Sequence, residues 1–211
     1  MNLTEQLKTY ANQSATRIPN NAQHIMKAGI DELVNSSILN NALKTGDTLP
    51  NATLINAQGN KVELYDVLKS QKLVITFYRG GWCPYCNMEL RAYQEHLTRI
   101  EAKGAKLVAI TPETPDNSLS TSEKNNLKFE VLSDIDNAFA RSLGLVFKLP
   151  LDLQEVYKGF GINLDDNQQN THQELPIAAT YIVEQDGTVS YHHLEEDYKL
   201  RANPEDVIAN L

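Results

Sequence analysis

Cysteine is nearly absent: the 211-residue chain has two, Cys83 and Cys86. That excludes a framework of several disulfides and a zinc site built from cysteines alone. The histidines, His24, His96, His172, His192 and His193, form no ligand-spaced pair that would complete a zinc site around the two thiols, so no metal and no other cofactor is expected. No apolar run reaches the length of about 18 residues that a bilayer-spanning helix needs. Basic residues are in deficit, 19 Lys and Arg against 27 Asp and Glu, for a formal net charge of −8. Non-specific binding to nucleic acid or to an anionic membrane is therefore not expected. Internal repeats, low-complexity tracts and phosphate-cradling glycine loops are missing, Gly80-Gly81 being too short for one. The N-terminus is polar and lacks a basic start followed by an apolar block, so no secretory signal is expected and the cytoplasm is the expected compartment. On that reading the sequons at Asn2, Asn12, Asn35 and Asn51 are by-products of an Asn-rich composition.

What is present centres on Leu73–Arg91. The β-branched, apolar run from Leu73 to Tyr78 reads as a buried strand, and Arg79-Gly80-Gly81 as a tight turn. Pro84 suits the first position of a helix, where its fixed φ fits and its missing N–H costs nothing. Cys83 then lies at the helix mouth, where unpaired N–H groups and the positive dipole end favour a thiolate. Cys86 follows one turn later on the same face, close enough to bridge. A pair of inert buried cysteines is the plainer alternative; the coincidence of glycine turn, N-terminal proline and strand-to-helix switch favours redox chemistry at Cys83. Arg79 is a candidate cation beside that thiolate, its alternative being a solvated turn residue. Trp82 and Tyr85 would shape an apolar rim or simply pack, Gly80 would border the same substrate pocket from the turn, and Tyr78 would either line it from the strand end or pack in the core.

With 41% hydrophobic residues the chain can bury one core with a helical appendage. Residues 1–44 read as two helical segments broken at Ile18-Pro19-Asn20-Asn21, with Leu3, Leu7 and Tyr10 on one face of the first. They serve as caps, as a homodimer contact or simply as padding for the core's edge, and the sequence leaves these open. Residues 45–211 read as one domain: a hairpin across Ala57-Gln58-Gly59-Asn60, the central strand, a helix from Cys83 to about Lys103, a strand at Lys106–Ile110, a helix at Ser118–Asn125 and a strand at Phe129–Leu132. Asp134 should cap a helix at Asn137–Leu143. Residues 145–175 show little periodicity and are expected as a rim or lid. A second hairpin crosses Glu184–Gly187, Glu195-Glu196-Asp197 reads as a solvated acidic turn, and Pro204–Leu211 as a closing helix. His192 and His193 alternate across a strand, so at most one can face the site and neither is expected as a base. The pattern is a mixed α/β sandwich with its site at the carboxyl ends of the strands.

These residues carry a resemblance to the thioredoxin-fold superfamily and, more narrowly, to the peroxiredoxin-like branch of the alkyl hydroperoxide reductase/thiol-specific antioxidant family. The carrying segments are Gly46–Pro50, Phe77–Cys86, Leu132-Ser133-Asp134, and Ala179–Val183 with Asp186-Gly187. The resemblance implies a thioredoxin-like three-layer sandwich around a central mixed sheet, with an N-terminal helical extension. It implies a thiol-dependent peroxidase that reduces small hydroperoxides: Cys83 becomes a sulfenic acid, Cys86 resolves it to a disulfide, and thioredoxin or a similar dithiol restores the pair. The chain departs from the family's Pro-x-x-x-Thr-x-x-Cys pattern. Arg79 or its neighbours occupy the proline position, Gly80 the threonine position, and Ala178 the position of the family's arginine. The Cys-x-x-Cys spacing is instead that of thioredoxin-like disulfide oxidoreductases, the alternative function. Those carry a cis-proline where this chain has Ala179, Pro176 lying too far upstream to fill the slot without a shifted loop.

Overall fold

The computed structural model describes residues 2–211. Helices α1 (Leu3–Ala15) and α2 (Asn20–Ser36) come first, followed by a 3-10 turn at Ile38–Asn41. A reciprocal cap starts α1: the Asn2 side chain accepts the Glu5 N–H at 2.9 Å, and the Glu5 carboxylate accepts the Asn2 N–H at 3.2 Å. Pro19 stands immediately before α2, so the two helices break where expected. Leu3 and Leu7 bury one face of α1 against the core, with Tyr10 partly buried beside them.

Strands β1 (Thr53–Asn56) and β2 (Lys61–Glu63) form the expected hairpin, and α3 (Leu64–Leu68) leads into β3 (Lys72–Phe77). Then follow α4 (Pro84–Ala102), β4 (Ala105–Thr111), α5 (Pro115–Asn125), β5 (Glu130–Ser133), a 3-10 turn at Ile135–Asn137 and α6 (Ala138–Ser142). The chain closes through β6 (Val146–Lys148), α7 (Leu151–Gly159), α8 (Leu164–Gln168), β7 (Glu174–Pro176), β8 (Ala178–Val183), β9 (Val189–Glu195) and α9 (Pro204–Ala209). Seven strands make one sheet in the order β2-β1-β5-β4-β3-β8-β9. Strands β3, β4 and β5 run parallel, while β1 and β8 join them antiparallel.

Position decides composition. Strand β3 lies inside the sheet with helices over both faces, and Leu73 to Phe77 are all buried. Its side chains alternate between two cores. Val74 packs with Cys86, Leu90, Tyr93 and Ile100 of α4, Val207 of α9 and the buried face of α1. Leu73, Ile75 and Phe77 pack on the opposite face with Leu64 and Leu68 of α3 and Phe139 of α6. The result is the three-layer mixed α/β arrangement.

Two expectations need correction. Helix α5 begins at Pro115, not Ser118, because Pro115 is itself a suitable first helical residue. Residues 145–175, expected as a rim or lid of little periodicity, are built from regular elements. Strands β6 and β7 pair as a short ribbon, and Leu149, Leu153, Tyr157, Leu164 and Leu175 form a separate small apolar cluster. Three-residue strands and a single nine-residue helix are too short for periodicity to reveal. Asp134 caps as expected, accepting the N–H groups of Phe139 and Ala140 at 2.8 Å, although the 3-10 turn intervenes.

Gly144, which ends the α6 segment, has φ +72°, and a Cβ there would lie 2.4 Å from the backbone oxygen of Asn41. Gly144→Ala should therefore cost about 2–4 kcal/mol of unfolding free energy in urea titration. A loss below about 0.5 kcal/mol would mean that the Ile38–Asn41 turn yields freely.

Candidate active site

The turn after β3 is built around two glycines. Gly80 has φ +154°, and a Cβ on it would stand 2.3 Å from Trp82 Nε1 and 2.7 Å from a Glu113 oxygen, so only glycine fits. The Gly80 carbonyl accepts the Cys83 N–H at 3.1 Å, and Pro84 opens α4. Cys83 thus occupies the cap position, and its carbonyl accepts the Asn87 N–H at 3.1 Å as the helix begins. The turn is also tied from outside. Asn87 Nδ2 donates to the carbonyls of Gly81 and Cys83 at 2.8 and 3.0 Å, and the Gly81 N–H donates to Glu113 Oε2 at 2.8 Å.

Cys83 and Cys86 are both free thiols, and both are buried. The expected helix mouth is there, but the expected exposure is not: Cys83 has 0% exposure. Arg79 explains much of this. It is not a solvated turn residue but lies 4% exposed against the sulfur, with Nη2 donating to Cys83 Sγ at 3.3 Å and Nη1 to the Tyr157 hydroxyl at 2.7 Å. Its guanidinium carbon sits 3.8 Å from the Tyr198 ring centroid and 5.1 Å from that of Trp82. Trp82 in turn meets Tyr157 edge to face at 5.5 Å. Tyr157 lies in the segment expected as a rim or lid, and Tyr198 follows the acidic run read as a solvated turn; neither residue was itself singled out.

A second arginine was not read from the sequence. Arg201, in the loop between β9 and α9, donates from Nη2 to Cys86 Sγ at 3.3 Å and forms a buried ion pair through Nη1 with Glu89. Nothing in local spacing ties residue 201 to residue 86. Glu89 did carry a signal, since it falls one turn after Cys86 on the apolar face that includes Leu90 and Tyr93. Glu113 carried none.

An open groove of about 300 Å³ reaches Arg79 but neither sulfur, and is bounded by Arg79, Trp82 and Tyr85 together with Tyr157 and Tyr198. Tyr10, Ile18 and Met26 of the N-terminal segment complete its wall. Trp82 and Tyr85 are therefore at the groove as expected. Tyr78 and Gly80 are not: Tyr78 is fully buried in the core with Cys83 and Cys86, and Gly80 is enclosed by Trp82 and Glu113. The outward pleat position at the strand end is covered by α5, whose Thr121 lies against the turn. Neither His192 nor His193 hydrogen-bonds a sulfur; His192 Nδ1 accepts the Thr45 N–H at 3.0 Å. Glu195, Glu196 and Asp197 are only partly exposed rather than freely solvated, and Asp197 pairs with Lys199 Nζ at 2.9 Å.

The electrostatics separate the two thiols. Burial alone would push the Cys83 thiol up, but the hydrogen bond from Cys86 and the charges of Arg79 and Arg201 outweigh it and hold Cys83 well below the ordinary thiol range. Cys86 moves the other way, raised by burial and by the thiolate it faces, against the opposing pull of Arg201. Burial also raises Glu89 and Glu113, each to about 7.

A dithiol at the mouth of the helix that follows the central strand of such a sheet defines a redox protein of the thioredoxin fold. Residues 45–192 match the AhpC/TSA family, and the chain belongs to that family. Peroxiredoxin Bcp of Escherichia coli is 24% identical over 170 residues, covering 81% of this chain and 96% of that protein. Peroxidoxin BcpB from Mycobacterium tuberculosis superposes with TM-score 0.63 at 18% identity, over 80% of this chain and 96% of its own. The reduced Prx3 from Vibrio vulnificus in complex with H2O2 gives 0.63 at 22% identity, over 79% and 97%. The superpositions show the shared fold.

Glu113 offers a test of the turn's electrostatics. Below about pH 4.5 its carboxyl is protonated whether the chain is folded or not. As pH rises from there to about 7, the unfolded chain ionises while the folded chain keeps the proton, so stability falls across that window. Glu113→Gln, which can still accept the Gly81 N–H, should gain on the wild type by about 3 kcal/mol between pH 4.5 and 8 in urea titrations. A difference that stays flat with pH would refute this.

Proposed function

We propose that this chain, a thiol-dependent peroxidase by family, reduces small hydroperoxides with Cys83 as the attacking thiolate and Cys86 as the resolving thiol. The observation that carries the reading is the Arg79–Cys83 contact at the start of α4, at 3.3 Å. There the helix N-terminus and a guanidinium together favour a sulfur anion. The thiolate attacks one peroxide oxygen; the S–O bond forms, the O–O bond breaks, and the departing oxygen leaves as water or alcohol after taking a proton. Cys83 is then a sulfenic acid. Arg79 is suited to steady the charge on the departing oxygen, since its fork has donors to spare beyond those given to Cys83 and Tyr157. Peroxide enters along the groove once the rings of Trp82, Tyr157 and Tyr198 swing aside, and Trp82 and Tyr85 line its path. Tyr10, Ile18 and Met26 make the helical extension of residues 1–44 a wall of that path, with a homodimer contact as a second role for its outer surface. Thioredoxin or a similar dithiol restores the pair, and a catalytic dithiol of this kind suits a reducing compartment such as the cytoplasm.

Peroxide consumption in the presence of thioredoxin and its reductase tests the assignment. Cys83→Ser should reduce the rate to that of a free thiol, and Cys86→Ser should allow one turnover and leave a sulfenic acid on Cys83. Arg79→Gln should return the Cys83 thiol toward its ordinary value, near 8.5, and slow the reaction at neutral pH about tenfold or more. The Cys-x-x-Cys spacing favours a second reading, disulfide exchange. Rapid insulin reduction by the wild type, with a mixed disulfide trapped through Cys83 in Cys86→Ser and no peroxide turnover, would establish that instead.

A further inference from the structure

The two sulfurs do not share one guanidinium. Arg79, just past β3, donates to Cys83, and Arg201, from the far end of the chain, donates to Cys86, each at 3.3 Å. The second contact is a built one. The Arg201 side chain is 0% exposed and its ion-pair partner Glu89 2% exposed. Arg201 Nε donates to the Tyr198 carbonyl at 2.9 Å, and Glu89 accepts from Thr76 Oγ1 at 3.4 Å. A buried ion pair contributes little net stability, because desolvating both charges offsets most of their attraction. Its position against a sulfur that the first chemical step leaves untouched points to the second step.

We propose that Arg201 is a catalytic residue for resolution of the sulfenic acid, holding the Cys86 sulfur toward Cys83 and stabilising the negative charge it develops as it attacks, with Glu89 as the positioning residue that fixes the guanidinium. The proposal rests on the reading that Cys83 is oxidised first. In the reduced protein burial and the facing Cys83 push the Cys86 thiol well above its ordinary range, against the pull of Arg201. Conversion of the Cys83 thiolate to a neutral sulfenic acid removes that anion and leaves Arg201 as the charge in contact with Cys86. The Cys86 sulfur then attacks the sulfenic sulfur. The S–S bond forms, the S–O bond breaks, and the departing hydroxide takes the Cys86 proton and leaves as water. Two electrons pass from the Cys86 thiol to the sulfenic sulfur, so the step needs no further oxidant or reductant.

Trp82, the sequence's one tryptophan, sits beside Cys83 and reports both steps in stopped-flow fluorescence of the full-length reduced protein mixed with hydrogen peroxide. The phase whose rate rises with peroxide concentration is sulfenic acid formation, and the phase independent of it is disulfide closure. Mass spectrometry of quenched samples assigns each. Arg201→Gln should slow the second phase about thirtyfold or more and the first less than about fivefold, with Cys83 passing on to sulfinic acid. Arg201→Lys keeps a cation opposite Glu89, so it guards against a folding failure in the glutamine variant. It should retain the first phase and slow the second about tenfold, because an ammonium cannot hold carboxylate and sulfur in one fork. Glu89→Gln should also slow the second phase selectively, and less than Arg201→Gln. Equal slowing of both phases, slowing confined to the first, or an unchanged second phase in folded Arg201→Lys would overturn the role of Arg201. Absence of any sulfenic acid on Cys83 in the wild type would instead overturn the underlying peroxidase assignment.

Discussion

A sulfur anion sealed inside a protein must be matched by nearby positive charge, and everything around Cys83 follows from that requirement. Removing a charge from water costs several kcal/mol even after relaxation, so a buried thiolate persists only where donors and cations replace its hydration. This chain supplies the Arg79 guanidinium in direct contact, the Cys86 S–H and the nearby charge of Arg201. A buried guanidinium has the same problem in reverse. Arg79 is accommodated by the Tyr157 hydroxyl and by the ring faces of Tyr198 and Trp82, which offer electron density without a competing full charge. A carboxylate in their place would neutralise the arginine and weaken its hold on the sulfur.

That arrangement accounts for the architecture around the sheet. The ribbon of β6 and β7 with helices α7 and α8 exists as a unit that buries its own apolar cluster and, from that platform, presents Tyr157 to Arg79. The loop between β9 and α9 does two jobs within four residues, placing Tyr198 over Arg79 and Arg201 against Cys86. Helices α1 and α2 close the far side of the groove, through the edge contact of Tyr10 with Tyr85 at 5.2 Å and through Met26. Cys86 is thereby served directly by a segment distant in the chain and Cys83 through the partners that hold Arg79, while the buried carboxylates of Glu113 and Glu89 tie the Gly81 turn and Arg201 respectively.

Local rules were enough to recognise the centre of the molecule. Gly80-Gly81, Pro84 and the apolar run before them describe a strand, a turn and a helix start whose backbone demands can be read residue by residue, and Cys83 fell at the predicted cap. The same logic located Asp134, whose carboxylate has only to reach amides five and six residues ahead. It left Tyr78 open between pocket and core, because the pleat fixes which face a side chain takes but not what covers that face, and the fold put it in the core. It failed for residues 145–175, where elements of three to nine residues leave too few periods to recognise.

What the amino-acid order by itself determined was the chemistry available at one bend: two thiols a helical turn apart, a proline to start the helix and an arginine close by, all within short-range backbone geometry. What only tertiary folding decided was the state of those thiols. Whether Arg79 pointed to solvent or to sulfur depended on Tyr157 and Tyr198, and whether Cys86 had a cation of its own depended on Arg201, 115 positions away. Electrostatic contacts act through space at a few ångströms, and a chain carries no local mark of which distant residue will arrive within that range.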